Sequence, residues 1–241
     1  MRSLIIAAAF TLTACGQAAN PEAPAQNAEA QVAATGGMDL SGHLIAVGTD
    51  FRLDADPVQN VVVLVFPDND QTVSGPYVAP QATDTGAQLQ SGGVTLTLTP
   101  QTCTHEGAVY PMRARVDLIN ARPAEGCALV RWDHHLLELM PQIDACIAAS
   151  PETRWVSYAG RTGDDDVTMR LQGNQRSVQC VVRGQRATVS PTPENARIAG
   201  DAEALFVRGP GENPGGECYE APEVRSASGE MLGWMMDPQG C

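Results

Sequence analysis

The sequence GGVTLTLT at residues 92–99 indicates the fold of the first half of this chain. Two glycines that suit a turn precede a strict alternation of apolar and polar side chains, which is typical of a half-buried strand. The alternation returns at 114–118, a continuous apolar run occupies 61–66, and a further strand is predicted at 128–132. Turn residues separate these segments at intervals of about ten residues. Residues 38–132 are therefore predicted to form a small antiparallel β-barrel or sandwich.

The second half begins with a predicted helix. Pro141 suits the first turn of a helix, because the N–H that proline lacks would be unpaired there in any case. The helix is predicted to run from Pro141 to about Ala149, since the apolar residues of this stretch share one face at i, i+3 and i+4 spacing. These residues are Met140, Ile143, Cys146 and Ile147.

A β-hairpin is predicted after this helix. Residues 167–171 (VTMRL) alternate in the manner of a strand, and Gly173-Asn174 is a two-residue turn signal. If residue 172 pairs with residue 175, Cys180 lies opposite Val167. The same register places two apolar side chains on the face of Cys180, those of Met169 and Val178.

The change from strands to mixed elements predicts how the chain is divided. The fold class is mainly β, with the barrel or sandwich followed by an α+β region at 133–241, in which one helix packs on an antiparallel sheet. The boundary is predicted near 133–136. A single larger domain is the alternative, because 241 residues suit either arrangement.

The N-terminus carries an export signal. Residues 1–14 are predicted to be a signal peptide, with one arginine before an apolar stretch too short to cross a bilayer. The sequence LTAC at 12–15 resembles the bacterial lipobox. This resemblance implies cleavage before Cys15, lipidation of Cys15 and anchoring in a membrane. Gly16 after the cysteine implies the outer membrane, facing the periplasm. An ordinary secreted protein, cut at an Ala-x-Ala-like site, is the alternative.

Residues 15–37 are predicted to form a flexible tether. They are rich in Ala, Pro and Gln and contain no aromatic residue. A flexible chain of this length spans about 25–30 Å on average and at most about 70 Å. The folded part would therefore lie a few nanometres from the membrane.

Six cysteines remain after Cys15, and an even number in an exported chain predicts disulfides. Among fifteen pairings, the nearest-neighbour set is preferred, with the bonds 103–127, 146–180 and 218–241. Geometry supports 146–180, because both residues are predicted to point into the layer between helix and sheet. Two buried free thiols are the alternative for that pair. The other two pairs are chosen only because they join cysteines that are neighbours in the sequence. The six residues are Cys103, Cys127, Cys146, Cys180, Cys218 and Cys241.

Charge limits the class of partner. The chain has 15 Lys+Arg against 28 Asp+Glu, a formal charge of −13 and 5% aromatic residues. A nucleic-acid binder needs a basic face or a stacking platform, so nucleic acid is excluded as a partner. A basic envelope protein or a cell-wall component is compatible with this charge.

No catalytic, metal or cofactor site is predicted. His134-His135 could bind a metal together only in a loop, because neighbouring side chains of a strand point to opposite faces, and they are interpreted as part of a solvated linker between the domains. His105 lies near Cys103, which cannot bind a metal once it is oxidised, and His43 is expected to be structural. The acidic stretches 164–166 and 68–70 could hold Ca²⁺, but are interpreted as solvated turns. The sequence contains no nucleophile, zinc-protease or phosphate-loop motif, so no enzyme is predicted.

One further resemblance concerns the first half. CTHEGAVYP at 103–111, followed by EGC at 125–127, is similar to a group of uncharacterised bacterial envelope lipoproteins and predicted membrane proteins. Their β domain is similar in size and style to META-type and C-type lysozyme-inhibitor barrels. The resemblance implies a β domain and the disulfide 103–127, but no established activity. The group's usual Asp-x-Met-Ser element is replaced here by His-Glu-Gly-Ala at 105–108.

These observations predict a lipid-anchored, non-enzymatic binding or structural module of the envelope. One specific form of this hypothesis is an inhibitor of a basic cell-wall hydrolase such as a C-type lysozyme, which complementary charge would attract. A structural or stress-related envelope protein without a ligand is a second possibility. The third is an envelope hydrolase, which would need a pocket with carboxylates or histidines of perturbed pKa.

Overall fold

A computed structural model describes residues 39–119, 121–162, 166–174, 176–193, 196–216 and 221–238 of the chain. The fold is mainly β, with one α-helix among the described residues. The predicted fold class is confirmed, because a curled antiparallel half-barrel comes first and a second sheet with a packed helix follows.

The half-barrel is a nine-stranded antiparallel sheet, in the order β4-β3-β2-β1-β11-β10-β7-β6-β5. Its apolar side chains alternate into one core, as Val94, Leu96 and Leu98 do on β7. A separate two-stranded hairpin of β8 and β9 lies beside β11. The strands are β1 (Leu44–Gly48), β2 (Arg52–Asp56), β3 (Val61–Phe66), β4 (Gln71–Pro76), β5 (Gln81–Thr83), β6 (Gly86–Ser91), β7 (Val94–Thr99), β8 (Cys103–His105), β9 (Ala108–Tyr110), β10 (Met112–Leu118) and β11 (Ala124–Val130).

The curl of this sheet brings β4 against β6. The hydroxyl of Ser91 donates a hydrogen bond to the carbonyl of Pro76 at 2.6 Å. Gly92, in the turn after β6, has φ of 57°, and a Cβ there would lie 2.7 Å from the carbonyl oxygen of Ser74. Glycine is required because the backbone is left-handed and the two strands approach closely.

The second sheet has seven strands, in the order β15-β14-β13-β12-β16-β18-β17. A 3-10 turn (Trp132–His135) leads into helix α1 (Leu136–Ala149), which packs on β12 to β15. Between them lies a second core, separate from the first. The strands are β12 (Thr153–Arg161), β13 (Asp166–Gly173), β14 (Ser177–Arg183), β15 (Arg186–Pro191), β16 (Leu205–Arg208), β17 (Glu223–Arg225) and β18 (Met231–Met236).

The predicted start of the helix is wrong. The helix begins at Leu136, and Pro141 lies inside it. Leu136 and Leu139 are buried, so the apolar stripe extends one turn further towards the N-terminus than the proline suggested. The carbonyl left without a donor by Pro141 belongs to Leu137, whose side chain is exposed.

The predicted register of the hairpin is also wrong. Gln172 pairs with Ser177, and Cys180 lies opposite Met169 instead of Val167. The pair that closes the turn is Gly173 and Arg176, one residue later than the predicted pair of 172 and 175, since the N–H of Gly173 donates to the carbonyl of Arg176 at 3.0 Å. A shift of two residues keeps every side chain on its face, so Cys180 still points into the second core.

Two disulfides lie within the described residues. Cys103 bonds Cys127, which ties the β8–β9 hairpin to β11, and Cys146 bonds Cys180, which ties α1 to β14. Both are pairs that the sequence analysis preferred. The third pair, Cys218 with Cys241, lies outside the described residues, as do Cys15, the signal peptide and the tether.

Candidate functional site

A cleft of about 400 Å³ lies between the two cores. We call it the inter-core cleft. Strands β9 and β11 form one wall, and β12 with the loop at 197–200 forms the other. The surface of the cleft is mostly apolar, and the residues that define it here are Val109, Pro111, Leu129, Trp132, Tyr158 and Ile198.

Trp132 and Gly200 hold the two walls together. The indole N–H of Trp132 donates to the carbonyl of Ala204 at 3.3 Å, and the ring is buried. Gly200 has φ of 82°, and a Cβ there would lie 3.2 Å from the side chain of Leu129. A larger residue at 200 would therefore be strained and would press on the opposite wall.

The loop that forms one wall is fixed to β12. The N–H of Ala202 donates to the carbonyl of Ser157 at 3.0 Å, and the hydroxyl of Ser157 donates to Asp201 at 2.6 Å. Burial, together with the negative charge of Asp201, raises the pKa of Tyr158 above its ordinary value. Tyr158 therefore presents a neutral hydroxyl, which can both donate and accept a hydrogen bond.

Three further polar side chains lie in the cleft wall, those of His135, Thr162 and Arg197. Arg197 lies 3.6 Å from Glu106 of the β8–β9 turn, and both side chains are largely exposed. Val109 on the same hairpin is 62% exposed, so its apolar side chain faces outward at the cleft. The site can accept an apolar group and offer hydrogen bonds at its margin.

Arg170, on β13, lies in an unusual environment. Its side chain is fully buried, and Nη2 donates to the carbonyl of Ala196 at 3.0 Å. Its Nε and Nη1 have no hydrogen-bond partner within the part of the chain that the structure describes. The sequence analysis missed this residue, because in VTMRL it stands where a polar, outward-facing side chain is expected.

His134 and His135 lie in the connection between the two halves of the chain, and their side chains are partly exposed, 27% and 42%. They belong to the 3-10 turn that leads into α1, with ring centroids 4.8 Å apart. Nε2 of His134 lies 2.9 Å from Oδ2 of Asp39 and 3.1 Å from the hydroxyl of Ser41. One potential ligand atom from each of Asp39, His134 and His135 lies within 4.8 Å of the others.

Asp39 is an ionised member of this group. Burial alone would raise its pKa, but hydrogen bonds from the hydroxyl and N–H of Ser41 and the interaction with His134 lower the pKa to about 2. Asp39 is separated from His134 by 95 residues, so spacing in the sequence gave no signal for this contact.

The remaining histidines lie apart from this group. His43 is mostly buried, with its ring nitrogens 3.4 Å from Asp54 and 3.7 Å from Asp56. The ring of His105 makes an edge contact with Tyr110, and Cys103 beside it is in a disulfide and cannot ligate a metal.

The acidic turns lie outside the cleft wall. Residues 67–69 form a 3-10 turn after β3, and Asp70 takes the left-handed conformation with φ of 52°. Asp166 belongs to β13 and pairs with Arg183, whereas residues 163–165 lie outside the described residues.

Comparison of the chain with protein-family models, curated proteins and solved structures gives no match. The resemblance of residues 103–111 and 125–127 to envelope lipoproteins stays a prediction. No helix among the described residues is long and apolar enough to cross a membrane.

Proposed function

We propose that this chain is a lipid-anchored protein of the bacterial envelope and a non-enzymatic binding module. Its partner is a basic envelope protein, and the inter-core cleft receives an apolar side chain of that partner. The observation that carries the proposal is the cleft itself, a mostly apolar recess of about 400 Å³ between two cores, with Val109 exposed beside it.

The sequence and the disulfides support the location. LTAC at residues 12–15 provides a cysteine for lipidation, and residues 15–37 provide the tether. Disulfides persist in oxidising compartments and are rare in the cytosol. The bonds Cys103–Cys127 and Cys146–Cys180 fit a domain that works in the periplasm. The outer membrane is the proposed anchor site, with the folded part facing the periplasm.

The net charge supports the class of partner. A formal charge of −13 attracts a basic protein from a distance, and the cleft then supplies short-range apolar contact. A cleft of about 400 Å³ is near the lower end of the volumes usual for ligand sites. It suits one or two side chains of a partner.

Photo-crosslinking in the intact envelope tests the cleft. A photoreactive residue at Val109 is expected to give an adduct with a basic protein, whereas the same residue at Ile119 is not. Ile119 is a matched control, because it is exposed and apolar but is not part of the cleft wall. Ala199→Trp fills the cleft and is expected to reduce the Val109 adduct at least tenfold.

Equal adducts from both positions, or an adduct that Ala199→Trp leaves unchanged, would contradict binding in the cleft. No adduct from either position would favour a structural envelope protein without such a partner. The anchor is tested separately: Cys15→Ser is expected to move the protein from the membrane fraction to the soluble fraction.

Inhibition of a basic cell-wall hydrolase is the second candidate, and the acidic charge is the observation that favours it. The purified protein at micromolar concentration is expected to inhibit a C-type lysozyme at low salt and less at 0.5 M salt, since salt screens charge attraction. Unchanged lysozyme activity at both salt concentrations would exclude this candidate and leave the general binding function standing.

A further inference from the structure

We propose that Asp39, His134 and His135 bind one divalent first-row transition metal ion, with Zn²⁺ as the representative. We call these three residues the His-His-Asp site. The site goes beyond the proposed binding function and does not depend on it. Two imidazoles and one carboxylate are a common ligand set for Zn²⁺ and for related ions.

The distances require only a small rearrangement. Ligands of a tetrahedral zinc ion lie roughly 3.4 Å from one another, given metal–ligand distances of about 2.0–2.1 Å. The three potential ligand atoms already lie within 4.8 Å of one another, and His134 and Asp39 are 2.9 Å apart. The three side chains are 27–42% exposed, so they can rotate into place.

Neighbouring groups orient two of the ligands. Ser41 donates to Oδ1 of Asp39 through its hydroxyl at 2.6 Å and its N–H at 3.0 Å, which leaves Oδ2 directed at His134. Gly42 lies against the His134 ring, because a Cβ on Gly42 would be 2.6 Å from Cγ of the ring. Such outer contacts fix the direction of metal ligands and raise affinity.

The third ligand lies at the start of α1. Oε2 of Glu138 is 3.8 Å from Nδ1 of His135, beyond hydrogen-bond distance, so either ring nitrogen of His135 can serve as the ligand atom. Three protein ligands leave a fourth position for water or for a group from a partner. His135 also belongs to the wall of the inter-core cleft, so the open position would lie near it.

Metal binding would join distant parts of the chain. Asp39 is the first described residue, next to the predicted tether, and His134 lies 95 residues later at the start of the second half. A metal that binds the folded state and not the unfolded chain stabilises the fold, because binding adds to the free energy of unfolding. The bound ion would fix the N-terminal segment to the turn before α1.

The test uses the full chain in detergent, purified with a tag free of histidine and stripped with a chelator. Titration with ZnSO₄ in a calorimeter is expected to show one ion per chain and a rise in melting temperature. His134→Ala and His135→Ala are each expected to weaken Zn²⁺ binding at least tenfold. His105→Ala is the matched control, because that histidine lies outside the site, and its affinity is expected to stay within twofold of wild type.

Two results would overturn the proposal. One is the absence of both heat and a melting shift at 100 μM Zn²⁺. The other is Zn²⁺ affinity that survives in the His134→Ala/His135→Ala double variant, which would place the ion on cysteines or carboxylates elsewhere. Circular dichroism and melting of the metal-free variants show whether each is folded. Gly42→Ala is a second variant that keeps every ligand, and it is expected to weaken binding by displacing the His134 ring.

Discussion

Arg170 is a cation in the protein interior that makes one hydrogen bond, and its other two nitrogens have no partner among the residues that the structure describes. A buried charge without a partner costs free energy, and an apolar residue of similar shape is often neutral or stabilising by about 1–4 kcal/mol. We therefore expect Arg170→Met to raise the free energy of unfolding by about 1 kcal/mol or more, as measured by urea denaturation.

Arg183→Met is the matched control on the neighbouring strand. Arg183 is exposed and pairs with Asp166 in solvent, so its replacement is expected to change stability by less than about 0.5 kcal/mol. A loss of stability in Arg170→Met would show that the guanidinium is paired in solution. That pairing would then be a reason to search for an anion bound near Ala196.

Asp54 makes stability depend on pH. Burial alone would raise its pKa, but His43 and the guanidinium of Arg52 outweigh this and lower the pKa below its ordinary value. A carboxyl group with a depressed folded pKa stabilises the fold above its unfolded pKa of about 3.9, and this contribution is lost as pH falls through the folded value. The titratable and charged groups facing this site are His43, Arg52, Asp56 and Glu203.

Asp54→Asn is expected to lower the free energy of unfolding at pH 7 and to make a smaller difference at pH 3. Urea denaturation at several pH values measures this. Asp84→Asn, an exposed aspartate in the turn after β5, is the control and is expected to follow the wild-type curve. A gap between Asp54→Asn and wild type that does not shrink below pH 4 would contradict the assignment.

At the scale of elements, each disulfide is expected to protect its own part of the chain. The bond Cys103–Cys127 holds the β8–β9 hairpin to β11, and Cys146–Cys180 holds α1 to β14. Each closes a loop and so lowers the conformational entropy of the unfolded chain. This stabilises the folded state by about 3–4 kcal/mol. Replacing the first pair by serine is expected to speed hydrogen exchange in β8 and β9, while β12 to β14 keep their protection.

Replacing the second pair by alanine is the reciprocal variant, with faster exchange expected in α1 and β14. Mass spectrometry of peptides from both regions measures the two patterns. Equal loss of protection over both regions in both variants would mean that the elements unfold together, and that neither disulfide acts locally.

The sequence predicted an element well where its apolar residues recur with a single period. Residues 94–99 alternate without exception, and β7 occupies those residues. The start of α1 was misplaced because Pro141 satisfied a rule for first turns, whereas burial of Leu136 and Leu139 decided the outcome. The His-His-Asp site and the inter-core cleft could not be predicted, because both join residues that are far apart along the chain.

At the scale of the whole molecule, two cores meet through a small set of polar bonds. The apolar clusters are separate, with the first ending at Ala128 and the second beginning at Trp132. Arg52 of the half-barrel donates two hydrogen bonds to Glu203, at 3.0 and 2.8 Å. The indole N–H of Trp132 donates to the carbonyl of Ala204, the residue that follows Glu203. The loop at 197–204 is thus both a wall of the cleft and the connection between the cores.

Glu203→Gln is expected to weaken this connection without touching either core. The amide keeps the shape of the side chain, but it removes the charge and one of the two acceptors that Arg52 uses. If the cores unfold as one unit because of such contacts, the variant is expected to lose about 1–3 kcal/mol and to broaden its calorimetric transition. A van't Hoff enthalpy that falls below the calorimetric enthalpy would mark the loss of two-state behaviour.

Glu212→Gln, an exposed glutamate beyond β16, is the control and is expected to melt as wild type does. A sharp transition that Glu203→Gln leaves unchanged would mean that cooperativity resides in the apolar contacts around Trp132 and Leu129, and that the ion pair only sets the orientation of the loop.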